Sequence, residues 1–236
     1  MPEKPSRRCQ CSNHCKNTPL KDSPFCKNHQ TSCPNKAKLS GWEPDYSPQR
    51  YNNDKAIQYS HNCYAYSLRY LDNDKIKECR EKDECHFHVP GKKGKSHPDF
   101  QGKLGKTCSD IATRTLSDIP NGYLTNFDTK CRPGMSKIFM LVDKDRDLHY
   151  GSQDSNGYWS HKPGGRKVTD RDSEGTRIYR PDLASWHYPK EDSDEGLSYK
   201  FCSYMCVPRD GSIRIVGGTS RRARRARRAR RTRKSL

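Results

Sequence analysis

The chain is poor in the residues that usually build a core. Hydrophobic residues occupy 30% of its 236 positions, with six Phe, four Met and three Trp, and the mean hydropathy is -1.20. Leu, Ile and Val are sparse as well. A folded core must be modest and much of the chain must be loop or tail, with the thirteen Tyr carrying much of the packing. The longest uninterrupted aliphatic and aromatic run is Ile138 to Val142, far short of the ~20 residues of a membrane helix, so no membrane association is expected. The N-terminal Met-Pro-Glu-Lys-Pro-Ser-Arg-Arg has no apolar stretch behind its charges, so a signal peptide is not expected. A chain that is not secreted keeps its thiols reduced. The twelve cysteines are then expected to serve metal binding or catalysis rather than a disulfide framework.

Acidic residues are also missing where they matter most. The net charge is +18, and 221–236 holds nine Arg and one Lys without a single Asp or Glu, which leaves about +8 on the rest of the chain. An anionic partner is implied. The arm is Arg221-Arg222-Ala223 repeated to Arg231, then Thr232-Arg233-Lys234, so its candidate phosphate-gripping residues are Arg221, Arg222, Arg224, Arg225, Arg227, Arg228, Arg230, Arg231, Arg233 and Lys234. Mutual repulsion is expected to keep it disordered when unbound. No aromatic side chain interleaves the arginines, so base stacking is not expected and binding to nucleic acid or another polyanion should be sequence-independent.

Four pieces follow along the chain. Residues 1–35 hold five closely spaced cysteines, 36–58 read as an extended linker, 59–215 hold nearly all the convincing secondary structure, and 216–236 form the arm behind Gly217-Gly218. Ser60-His61-Asn62 is a helix start before Cys63, Tyr64, Ala65, Tyr66, Leu68, Tyr70 and Leu71. A second helix is expected over Cys108 to Leu116, a long loop over 86–107, a buried strand over Lys137 to Asp143, and a hairpin of Leu148 to Asp154 with Tyr158 to His161 around Ser155-Asn156-Gly157. A late strand is expected over Tyr199 to Val207. Helices first and antiparallel strands afterwards is an α+β order.

Two constellations carry chemistry. In Cys9-x-Cys11-x3-Cys15-x10-Cys26-x2-His29, thiolates and an imidazole are spaced for tetrahedral zinc. Cys26 and His29 form a knuckle, Cys15 is a third ligand, and either Cys9 or Cys11 is the fourth. Four protein ligands make such a module structural, and metal supplies the stability that so polar a segment lacks. The segment resembles the short Cys-Cys-Cys-x2-His zinc modules of viral and nuclease-associated proteins. Cys33, Cys79, Cys85, His86 and His88 are candidates for a further, irregular site. The second constellation is Cys63 in the first turn of a helix, where the dipole favours thiolate, with His149 and His161 on the hairpin. A three-residue loop at 155–157 sets Gly151 opposite His161 and puts both histidines on one face, whereas a two-residue Asn-Gly loop would put them on opposite faces, so the catalytic reading requires the former. Asp154 is a rival partner for the base, and Asn62, Tyr59 and Gln58 are candidates for an oxyanion site.

The strings His61-Asn62-Cys63-Tyr64-Ala65-Tyr66-Ser67-Leu68, His149-Tyr150 and Gln153 to Gly164 resemble an uncharacterised family encoded by large DNA viruses, over roughly 39–208. The order Cys, His and a second His twelve residues later is also similar to NlpC-type cell-wall peptidases. That resemblance implies a papain-like fold, with Cys63 as nucleophile, His149 as base and His161 as the residue that orients it. It implies hydrolysis of an amide, isopeptide or ester in a protein substrate through an acyl-cysteine, in a virion or in host cytoplasm or nucleus. The alternative is a non-enzymatic virion structural protein whose arm contacts the packaged genome.

Overall fold

The computed structural model describes residues 7–33, 37–92, 100, 106–190, 196–213 and 215; the arm lies outside the described residues. The architecture is α+β. Five short helices, α1 (Gln49–Asn52), α2 (Lys55–Ser60), α3 (Cys63–Ser67), α4 (Asn73–Lys82) and α5 (Cys108–Asp118), precede seven strands: β1 (Tyr123–Thr125), β2 (Met135–Asp143), β3 (Asp147–Gln153), β4 (Trp159–His161), β5 (His187–Tyr188), β6 (Leu197–Ser198) and β7 (Lys200–Pro208). An antiparallel sheet of order β1-β7-β2-β3-β4 forms the centre, and β5 pairs with β6 beside it. Among the described residues no helix is long and apolar enough to cross a membrane.

Local chemistry accounts for the elements. The Asn62 side chain caps α3 by accepting from the Ala65 N–H, and the Asp54, Asp72 and Thr107 side chains do the same for α2, α4 and α5. The apolar run of β2 is buried along its whole length because both of its faces are covered. Its even-numbered residues Ile138, Met140 and Val142 pack with Tyr150, Met205 and Val207 beneath α3 and α5. Its odd-numbered residues Phe139 and Leu141 pack with Trp159, Tyr204, Ile178, Tyr179 and Trp186 on the opposite face. Among the described residues no α-helix packs on that second face. It is roofed by the crossover 168–188 and by the N-terminal segment.

Gly151 in the middle of β3 is required by a close approach, since a Cβ there would lie 2.2 Å from the Phe139 ring and 2.7 Å from the Ser160 carbonyl oxygen. The β3–β4 hairpin closes as expected, with Gly151 opposite His161, Asp154 N–H donating to the Tyr158 carbonyl, and Gly157 at φ +84°. The stretch 36–58, expected to be an extended linker, carries α1 and the first four residues of α2 within its described part, 37–58. Helix α4 was also not anticipated, because its ten residues are almost uniformly polar and only Ile76 and Cys79 are buried.

Four disulfides correct the expectation of a fully reduced chain: Cys11–Cys33, Cys79–Cys85, Cys108–Cys202 and Cys131–Cys206. Cys202 lies where the β2–β7 register shifts, and that irregularity turns it towards the start of α5. Cysteines 9, 15, 26 and 63 are free.

Candidate metal centre and the cysteine–histidine residues

The four ligand atoms of Cys9, Cys15, Cys26 and His29 lie within 4.8 Å of one another, a group able to hold a metal ion. Cys26 and His29 meet because a single 3-10 turn, Lys27–His29, separates them, with the His29 N–H donating to the Cys26 carbonyl. The contacts are close: Cys9 Sγ and Cys26 Sγ are 3.4 and 3.5 Å from His29 Nδ1, and Cys15 Sγ is 3.7 Å from Cys26 Sγ. The Cys26 N–H also donates to Cys9 Sγ. Burial favours the neutral thiol of Cys26, but hydrogen bonds from Cys9 and Cys15 outweigh it and hold Cys26 down to about 6. The shift is towards the thiolate form that a metal ligand needs. The choice between Cys9 and Cys11 falls to Cys9, because Cys11 is spent in the disulfide with Cys33. The further site expected from Cys33, Cys79, Cys85, His86 and His88 is overturned in the same way. Its three cysteines are in disulfides, and His88 Nε2 instead contacts Asp72 Oδ2 at 3.1 Å.

The expected catalytic constellation does not assemble. His149 and His161 do share a face, with His149 Nε2 2.7 Å from His161 Nδ1. Cys63 is on the other side of the sheet. It packs with Ile138, Met140 and Tyr150 in the cluster beneath α3, whereas His149 pairs across the ladder with Leu141 and lies against Phe139, Trp186 and Tyr199. The reason is the two-residue period of a strand: Leu148 and Tyr150 face Cys63, so His149 between them cannot. Cys63 is 5% exposed, and burial, helped by the charge of Asp147, pushes its thiol up to about 12. Desolvation thus overrides the dipole of a five-residue helix.

Burial and hydrogen bonds together fix the state of His161. Burial holds it down to about 4, and in that neutral ring, with Nε2 donating to the Arg171 carbonyl, Nδ1 accepts from His149 Nε2–H. Asp154 is engaged elsewhere, with Arg69 and the Ser160 hydroxyl. The expected oxyanion residues have structural duties as well. Asn62 caps α3 and donates to the His88 carbonyl, Gln58 donates to the Gly165 carbonyl, and Tyr59 packs against Gly165.

Two important side chains were not foreseen. Lys162 is fully buried, and its ammonium donates to the carbonyls of Gln58, His61 and Gly164 at 2.6, 2.7 and 2.6 Å. Gln10, 1% exposed between two cysteines, accepts from the N–H groups of Tyr179 and Arg180 at 2.6 and 2.9 Å. Neither carries a local signature, since Gln10 acts through backbone groups 169 and 170 residues away and two of the three acceptors of Lys162 are 104 and 101 residues away.

No protein-family profile matches the chain, and no solved structure matches it. Over 140 residues, 59% of this chain, it is 27% identical to insoluble matrix shell protein 1 of Ruditapes philippinarum, of which the match covers 79%.

Proposed function

We propose that this protein is a non-enzymatic structural protein, a disulfide- and zinc-stapled scaffold whose arginine arm grips an extended polyanion such as nucleic acid. The observation that carries this reading is the separation of Cys63 from His149 and His161 by the thickness of a sheet. Nucleophilic catalysis needs thiol and imidazole within hydrogen-bond reach, and both are committed to packing on opposite faces. The papain-like reading loses its support with that geometry. The name of the clam relative, a protein of an insoluble matrix, also agrees with a scaffold more than with a hydrolase.

Zinc is the metal the donor set favours. A tetrahedron with Zn–S bonds of ~2.3 Å and Zn–N bonds of ~2.0–2.1 Å has edges of roughly 3.8 Å between sulfurs and roughly 3.5 Å between sulfur and nitrogen. The 3.7, 3.4 and 3.5 Å contacts match those edges. With three thiolates and an imidazole as protein ligands, the centre is closed and structural.

The arm is tested by salt dependence. With roughly 6–10 phosphate contacts, affinity for duplex DNA should fall about 10³–10⁵-fold between about 50 and 200 mM salt, and a chain ending at Gly218 should lose most of that slope. An unchanged slope in the shortened chain would place the binding surface on the folded domain. In the same preparations, an acyl-enzyme-forming electrophile should leave Cys63 unlabelled. Stoichiometric labelling at Cys63 would restore the hydrolase reading.

A further inference from the structure

We infer that the Cys9–Cys15–Cys26–His29 centre is a clamp that, when metal-loaded, locks the N-terminal segment onto residues 177–180 of the 168–188 crossover. This rests on the metal reading above and adds its consequence.

Within the crossover regular structure is confined to the two residues of β5 and isolated bridges at Thr169 and between Arg171 and Arg177. It is bonded to the sheet side through the His161–Thr169 bridge, Trp159 N–H donating to the Ile178 carbonyl and Tyr199 N–H donating to the Trp186 carbonyl. The main-chain groups of Arg177, Tyr179 and Arg180 pair with the N-terminal segment. The Gln10 carboxamide accepts from Tyr179 N–H and Arg180 N–H and donates to the Arg177 carbonyl at 3.4 Å, taking the place of a neighbouring strand. Phe25 meets Tyr179 edge-on at 4.7 Å, and the Tyr179 hydroxyl accepts from Ala37 N–H. Beside these contacts lies a cleft of about 240 Å³ between Arg7, Arg8 and Pro19 on one side and Asp182, Leu183 and Ser185 on the other, bridged by the Arg7 guanidinium donating to the Thr176 hydroxyl. Gln10 and Phe25 make the attachment at 177–180.

Both residues adjoin ligands. Gln10 follows Cys9, and Phe25 precedes Cys26. The buried apolar residues of the segment are Cys9, Cys11 and Cys26 themselves, too little to hold its shape without a metal or disulfide. The Cys11–Cys33 disulfide ties one side of Gln10, and the metal ties the other. Loss of metal frees Cys9, Cys15, Cys26 and His29 together, and with them the placement of Gln10 and Phe25. The Tyr179 and Arg180 amides then lose their acceptor, while the bonds to Trp159, His161 and Tyr199 keep the rest of the crossover on the sheet. Metal occupancy thereby decides whether the 177–180 edge of the crossover is closed or open.

The experiment is hydrogen exchange on the full chain with disulfides intact, zinc-loaded and after chelation, together with a zinc titration. Chelation should speed exchange at the Tyr179 and Arg180 amides about tenfold or more, while amides of 138–142 in the central strand keep their protection. Gln10→Ala should bind zinc with unchanged stoichiometry yet show fast exchange at Tyr179 and Arg180 in both states, with the central strand again serving as the folding control. Failure to bind zinc would remove the metal reading and the clamp together. Zinc binding with the same crossover protection before and after chelation would overturn the clamp alone, as would slow exchange in Gln10→Ala.

Discussion

Lys162 shows how a single residue can be indispensable without being catalytic. Its ammonium satisfies three carbonyls from the end of α2, the turn before α3 and the loop after β4, so it joins the helix-bearing segment to the hairpin. Methionine has a similar length and no donor. Lys162→Met should leave three buried acceptors unpaired and destabilise the fold by about 3–5 kcal/mol, read as a shift in the denaturation midpoint. A loss below about 1 kcal/mol would mean that the carbonyls find other donors. Cys63 makes the complementary point. Its position at a helix start was correctly read from Asn62, yet its reactivity depends on what covers it, and that cover comes from Ile138, Met140 and Tyr150 far along the chain.

At the scale of elements, the disulfides divide into a local and a long-range kind. Cys79–Cys85 spans six positions around the end of α4, whereas Cys131–Cys206 ties the loop before β2 to β7 across 75. Chain-entropy loss in the unfolded state grows with the logarithm of loop length, giving about 4–5 kcal/mol for the long closure and about 2 kcal/mol for the short one. Replacing Cys131 and Cys206 by Ser should therefore lower stability clearly more than replacing Cys79 and Cys85, as measured by denaturant unfolding without reductant. Equal losses would show that strain or residual structure, rather than loop closure, governs these bonds. The hairpin, α3, α5, β2 and β7 were legible because capping side chains, apolar runs and an Asn-Gly turn act over a few residues. α4, β1, β5 and β6 were not, since tertiary contacts select these short or polar segments.

The whole molecule should be sensitive to acid. His61 and His161 are buried neutral, with burial the main cause in both, and their folded values are about 3 and about 4 against 6.5 when free. Hydrogen bonding agrees for His61, whose Nε2 accepts from the Asp72 N–H. Below pH ~6.5 the unfolded chain binds protons that the folded chain refuses. The stability these two histidines confer is complete above that pH, declines as pH falls, and is gone by about 4 for His161 and about 3 for His61. Urea midpoints should fall steadily from pH 7 to 4.5, with a shallower decline in His161→Gln; a flat profile would show the histidines protonated in the folded state.

By itself the sequence determined the α+β order, the Cys26–His29 knuckle, the place of the hairpin and the strong positive charge of 221–236, because each depends on residues near one another in the chain. The tertiary structure alone decided that Cys11 joins Cys33 and leaves Cys9 to the metal group, that Cys63 and His149 face away from each other, and that Gln10 and Lys162 hold distant backbone together. A strand's alternation says that neighbouring residues point to opposite faces. Which face a distant helix will cover is settled only when the chain packs.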